Sequence, residues 1–324
     1  MLDSSHCPFW TLPSPEWAKN KRYYRSFSQK QKKISRQRLR QVSKSFNHFI
    51  DAEKPAVQID ELRIKVASNS VQIMLESSGH NSCLEIREHQ NGALVCQGTS
   101  RPRLQENENF LDSSIEALEH VLKHRKFPIG NLKLELDNNY SEGKNSEFLE
   151  MFQKLLESDL LRVKEFHLEG HVYQALQLLP LLDPKVLKTI EFSRYGHAFE
   201  EISNNDFMQL EQWNNAKVLT ARIMIFNVPI RNFAHFDIAY VIVSRITTQD
   251  LVYLRDVYTQ SPKFEDATIL FMNSDPLEEP FEGKKQFFRC SDPNFALFFL
   301  SCTMFVHFAR VPISDVPVGA FERV

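Results

Sequence analysis

Residues 163–193 read Val163-Lys-Glu-Phe-His-Leu-Glu-Gly-His-Val-Tyr-Gln-Ala-Leu-Gln-Leu-Leu-Pro-Leu-Leu-Asp-Pro-Lys-Val-Leu-Lys-Thr-Ile-Glu-Phe-Ser193. Val163–Glu169 alternates apolar and polar residues, which predicts a half-buried strand. Phe166 and Leu168 then face inward, and Glu165, His167 and Glu169 face outward. Val172 to Leu182 predicts a helix, closed by Asp183-Pro184. Leu187 to Ser193 predicts a second strand, with Ile190 and Phe192 inward and Thr189, Glu191 and Ser193 outward. Strand, helix, strand in about thirty residues is the unit of a parallel sheet.

The same alternation extends both ways. Upstream, Ser113–His124 predicts a helix with Ile115, Leu118 and Leu122 on one face. Leu132–Leu136 predicts a strand and Phe148–Leu156 a helix. Downstream, Phe207–Asn214 and Thr248–Thr259 predict helices. Val218–Phe226, Tyr240–Val243 and Ala267–Met272 predict strands. In Val218–Phe226 the expected inward set is Leu219, Ala221, Ile223 and Ile225; Thr220 and Arg222 face outward. Strand centres near 134, 167, 191, 221, 242 and 269 recur at irregular steps within the range of leucine-rich-type βα repeats. The consensus Asn of a true leucine-rich repeat is absent. The expected fold class is therefore α/β: an irregular leucine-rich-repeat-like βα solenoid, or a curved sheet with helices on one side.

Residues 57–97 predict an antiparallel meander. Val71, Ile73 and Leu75 alternate, as do Leu84 and Ile86, and Gly79-His-Asn and Asn91-Gly92 supply turns. The longest apolar stretch, Phe295 to Phe308, is too short to span a bilayer and predicts a buried strand. The chain has 324 residues, 42% hydrophobic and 25% charged, a balance that supports a buried core and excludes wholesale disorder.

The near-neutral total hides an asymmetry. Residues 1–54 hold 12 Lys/Arg against 4 acids; the remainder holds 27 against 37. The expected division is 1–54, a basic helical segment, and 55–324, the α/β domain. Within the first, Leu39, Val42, Phe46, Phe49 and Ile50 recur at helical spacing before Pro55. No apolar leader follows Met1, so the five scattered cysteines are expected to be reduced thiols in a cytoplasmic or nuclear protein.

Chemical motifs are scarce. With Gly at 9 residues, no nucleophile elbow, phosphate loop or dinucleotide fingerprint occurs. His120/His124 and His167/His171 are each four apart, but the first pair lacks the Glu that a zinc-protease helix carries after its first His, and the second pair leaves a strand and enters a loop. No metal, cofactor or catalytic set is expected. Lys19–Lys44 carries 11 Lys/Arg and no acid, interleaved with Tyr23, Tyr24 and Phe27. That pattern fits a nucleic-acid backbone, an import signal or a solvated charged face.

Arg38-Leu-Arg-Gln-Val-Ser-Lys-Ser-Phe-Asn-His-Phe-Ile-Asp51 resembles the second half of an F-box. Three stretches resemble the F-box-associated FTH domain of the nematode F-box A family. They are Val163–Gly170 with Leu178–Pro184; Leu210-Glu-Gln-Trp213 through Leu219; and Phe233-Ala-His-Phe236 through Ile246–Leu251 to Ser261–Phe264. Phe287–Arg310 is similar to the family's C-terminal hairpin. The resemblance implies the substrate receptor of a Skp–cullin–F-box ubiquitin ligase, performing no chemistry itself. It implies a Skp-family adaptor held by Leu12, Pro13, Leu39, Val42 and Phe46, and an unnamed protein target; no membrane partner is expected, the longest apolar stretch being too short to span a bilayer. The F-box opening departs from the pattern: Trp17–Lys33 is polar and lacks the apolar stripe. The alternative is a stand-alone protein-interaction or nucleic-acid-binding module without an adaptor. The outward residues Glu165, His167, Glu169, Thr189, Glu191, Thr220 and Arg222 are the expected target-binding face, polar and mainly acidic.

Overall fold

The computed structural model describes residues 58–321, apart from residues 99, 124–126, 137–141, 158, 194–198, 204 and 275–284. Four strands open it as a meander: β1 (Glu61–Ala67), β2 (Ser70–Ser77), β3 (His80–His89) and β4 (Gly92–Gln97), with a short β5 (Arg103–Glu106) after them. Ser78 and Gly79 join β2 to β3 with φ of 47° and 81°, the left-handed pair that a two-residue hairpin turn demands. Gly92 (φ 144°) lies so close to β5 that an added Cβ would collide with the carbonyl oxygen of Gln105.

The chain then alternates: α1 (Phe110–Lys123), β6 (Ile129–Leu136), α2 (Glu142–Leu156), β7 (Val163–Glu169), α3 (Val172–Leu178), β8 (Thr189–Ser193), β9 (Glu200–Ile202), α4 (Glu211–Asn215), β10 (Val218–Phe226), β11 (Ile238–Ile246), α5 (Thr248–Gln260) and β12 (Asp266–Ser274). It closes with β13 (Lys285–Arg289), β14 (Phe295–Ser301) and β15 (Phe305–Pro312). All strands join one 15-stranded sheet. Its centre is parallel, in the spatial order β1-β6-β7-β8-β10-β11-β12. An antiparallel wing flanks each side, β2 to β5 beyond β1 and β15-β14-β13 beyond β12.

From β6 to β12 the spatial order follows the chain order. Each crossover therefore advances the same way, and crossovers of one hand lie on one face of the sheet. The burial pattern agrees. In β1, Leu62, Ile64 and Val66 are buried while Glu61, Arg63, Lys65 and Ala67 are partly exposed. β8 repeats this, with Ile190 and Phe192 buried between Thr189, Glu191 and Ser193. Parallel sheets are usually covered on both faces. Here the second face of β1–β8 is polar and partly open to solvent.

The core on the helix side is aromatic. Trp213 of α4 is fully buried, with ring centroids of Phe207, Phe226, Phe233 and Phe236 between 5.3 and 6.0 Å away. Phe207 extends the cluster to Phe192 of β8 at 5.6 Å. The Trp213 indole N–H donates to the carbonyl of Asn232 (3.4 Å), and a His235 ring nitrogen meets the Trp213 carbonyl (3.1 Å).

Several expectations are refined. The helix expected over Val172–Leu182 is α-helical only to Leu178; Pro180 sits in a 3₁₀ turn over Leu179–Leu181. A proline there has no N–H to continue an α-helical ladder. The helix expected over Phe207–Asn214 divides at Leu210, which is extended (ψ 134°), into a 3₁₀ turn and α4. The apolar stretch Phe295–Phe308 is two antiparallel strands, turned through residues 302–304. In β10 the register slips between Thr220 and Ile225. Met224 and Phe226 take the buried positions, and Ile225, expected inside, is half-exposed. A bulge shifts every later side chain to the opposite face.

Candidate functional site

The open face is built in rows, because parallel strands in register bring equivalent outward residues side by side. One row runs Arg63–Lys133–His167–Glu191–Thr220–Tyr240 across β1, β6, β7, β8, β10 and β11. To one side lies Glu61–Asn131–Glu165–Thr189, and to the other Lys65–Glu135–Glu169–Ser193. The structure therefore brings Glu165, His167, Glu169, Thr189, Glu191 and Thr220 together on one face. Arg222 stands on the same face of β10. Glu165 and Arg222 are exposed; the other five are half-buried.

The charge on this face is divided rather than mainly acidic. Glu135 is almost fully buried and is ringed by Lys133 Nζ (3.1 Å), Lys65 Nζ (3.7 Å) and Arg63 Nε (3.9 Å). Arg63 also pairs with Glu61 at 2.8 Å. The carboxylates of β7 and β8 lie beside this basic group. Burial, then the like charge of Glu135, pushes the Glu169 carboxyl above its usual range. Burial lowers the pKa of His167 against the opposing pull of Glu191, favouring the neutral ring. His167 Nδ1 faces Glu191 Oε2 at 3.4 Å, and His167 Nε2 lies 2.7 Å from Ser193 Oγ.

Beyond β10 the face changes character. The Arg222 guanidinium stands 5.5 Å from the Tyr240 ring centroid. The central row continues through Thr268 and His307, whose Oγ1 and Nδ1 are 3.0 Å apart. Phe287 and Phe298 pack in a tilted arrangement on the outer strands, ring centroids 5.4 Å apart.

Reading strand faces singly missed the contributions of β1, β6 and β11. Arg63/Lys65 and Lys133/Glu135 alternate as clearly as Glu165/His167. The parallel pairing of β1 with β6 is the non-local fact that joins them. Leu12, Pro13, Leu39, Val42 and Phe46 lie outside the described residues. His171 precedes α3 and faces Glu200 (3.4 Å), apart from the His167 network; His124 lies outside the described residues. Among the described residues no three metal-ligating side chains gather into a cation site. No helix among them is long and apolar enough to cross a membrane.

Residues 146–282 match the family model of the FTH domain. That span holds α2 to β12, including the aromatic cluster and the polar rows of β7, β8 and β10. The match makes this region similar to the FTH domain. Over 247 residues the chain is also 21% identical to F-box A protein 224 of Caenorhabditis elegans, an alignment covering 74% of this chain and 62% of that relative. Both findings support the nematode F-box A/FTH family. The chain spans about 62% of the length of the curated relative it matches. No solved structure matches.

Proposed function

We propose that the protein is the target-binding subunit of a Skp–cullin–F-box ubiquitin ligase, and that the open face of β7, β8 and β10 holds the target. The supporting observation is the alignment of seven polar side chains, from Glu165 to Arg222, on consecutive parallel strands whose other face is buried core. The sheet would serve as a short solenoid offers its strand face, with side-chain rows as the recognition elements. The FTH match and the F-box A relative support the ligase context. Residues 1–54 would supply the adaptor contact, through Leu12, Pro13, Leu39, Val42 and Phe46.

The two contacts are tested separately on the full chain. It is expected to capture a Skp-family adaptor, and Leu39→Asp with Val42→Asp to abolish capture. If the unaltered chain captures no adaptor, the ligase assignment falls and the stand-alone interaction module takes its place. A basic nucleic-acid module would show RNA binding that weakens steeply with salt. On the face, Glu165→Lys with Glu191→Lys is expected to weaken a captured target at least tenfold without touching adaptor binding. Crosslinks from that target concentrated on the helix side would place the site elsewhere.

A further inference from the structure

One constellation on the open face resembles a nucleophilic triad. Ser193 Oγ lies 2.7 Å from His167 Nε2, and the other ring nitrogen faces Glu191 Oε2 at 3.4 Å. The register explains the geometry. His167 is paired with Glu191, and Glu191 and Ser193 are two positions apart on β8, hence on the same face. The imidazole spans that gap, one nitrogen toward each. In the tautomer that carries the proton on Nδ1, on the Glu191 side, the lone pair of Nε2 faces the serine hydroxyl. A hydroxyl on one nitrogen and an orienting carboxylate on the other is the arrangement that activates serine nucleophiles. The ring is also reachable: the His167 side chain is 18% exposed, and Ser193 is half-buried on an open face.

We propose that Ser193 is a base-activated nucleophile that accepts an acyl or phosphonyl group from an activated ester, with His167 as its general base and Glu191 as the residue positioning the imidazole. Ser193 Oγ attacks the acyl carbon and forms the C–O bond as its proton passes to His167 Nε2. The C–O bond to the leaving alcohol breaks with its electron pair, and His167 returns the proton to that alcohol. Water, deprotonated by the same nitrogen, then releases the acid and frees Ser193. β7 and β8 are interior strands whose amides serve the ladder on both sides. Oxyanion donors are worth about 10²–10³ in rate where present, so covalent labelling is a better readout than turnover. A search for local motifs misses this set because its members are neighbours across strands rather than along the chain. The proposal goes beyond the receptor role and does not depend on it.

The test is labelling of the full-length chain by an alkyl fluorophosphonate, which gives a serine phosphonate and releases fluoride. Peptide mapping locates the adduct, and a melting curve for each variant shows that it is folded. Labelling at Ser193 is expected, lost in Ser193→Ala and slowed about 10²-fold in His167→Gln. In Glu191→Gln the pH midpoint of labelling is expected to move down, because the Glu191 charge raises the His167 pKa while Lys133, Glu135 and Arg63 stay in place. An unlabelled folded chain, an adduct elsewhere, a rate unchanged in Ser193→Ala or His167→Gln, or a midpoint unmoved in Glu191→Gln would each overturn the proposal.

Discussion

The two faces of the central sheet follow different rules. The helix side holds Phe166, Phe192, Phe207, Trp213, Phe226, Phe233 and Phe236, each at most 1% exposed. The open side holds Glu165, His167, Glu169, Thr189 and Glu191, which come from the same or neighbouring strands one residue out of step. The stretches that most clearly resemble the FTH family, Leu210-Glu-Gln-Trp213 and Phe233-Ala-His-Phe236, belong to the first face. Close packing tolerates few substitutes for a Trp set against four Phe rings. The proposed recognition face is the other side, where side chains can change without unfolding the chain.

That division is broken most directly at Trp213. Trp213→Ala leaves a void among four Phe rings and is expected to cost about 3–5 kcal/mol. For a domain of this size that is a fall in Tm on the order of 10 °C. Target capture measured well below the new Tm should be unchanged. Glu165→Lys with Glu191→Lys is the converse change, expected to alter capture while moving stability by under about 1 kcal/mol. If the double charge change cost as much stability as Trp213→Ala, the open face would be structural and the division between faces would fail.

Much of the first face is legible in the sequence, and only part of the second. The alternation in Val163–Glu169 gives both the strand and its inward residues, because period-2 patterning is a local property. Phe166, Leu168, Ile190 and Phe192 are buried as that pattern implies. Ile225 fails because a bulge in β10 shifts the pattern, and nothing local marks the slip. The basic group of Arg63, Lys65 and Lys133 around Glu135 is invisible for a different reason. β1 and β6 are separated by four strands and a helix in sequence, and their pairing is set by the topology of the whole sheet. The division of Phe295–Phe308 into two strands is hinted at by Ser301-Cys-Thr in its middle. The run of apolar residues on either side outweighs that hint when the stretch is read alone.

The charge pattern on the open face offers a finer contrast, since Glu135 and Glu169 are partners in one row and differ in surroundings. Glu135 is buried among three cations, so Glu135→Gln removes the negative centre and leaves like charges facing one another. The cations are 22–41% exposed, and solvent screens part of the loss. The expected cost is about 1–3 kcal/mol, measured by urea unfolding at pH 7. A variant as stable as the parent would mean that the three cations reach solvent on their own.

Glu169→Gln removes the same charge from the neighbouring strand, and the expected sign is opposite. Burial and the negative charge of Glu135 raise the Glu169 pKa above 4.5, against smaller opposing effects from Lys133 and Lys65. A carboxyl whose folded pKa is raised binds its proton more tightly in the native state. Its contribution favours folding below the unfolded value and is lost as pH rises through the folded value. The parent chain therefore carries a small deficit at neutral pH that a glutamine, which does not titrate, lacks. Glu169→Gln is expected to be more stable than the parent at pH 7 by under about 1 kcal/mol. That advantage should shrink toward pH 4.5 as Glu169 takes up its proton in both states. Paired melting curves for Glu135→Gln and Glu169→Gln across that range decide the point. Shifts of the same sign at pH 7 would show that total charge governs the open face, whereas opposite signs would show that each carboxylate answers to its own neighbours.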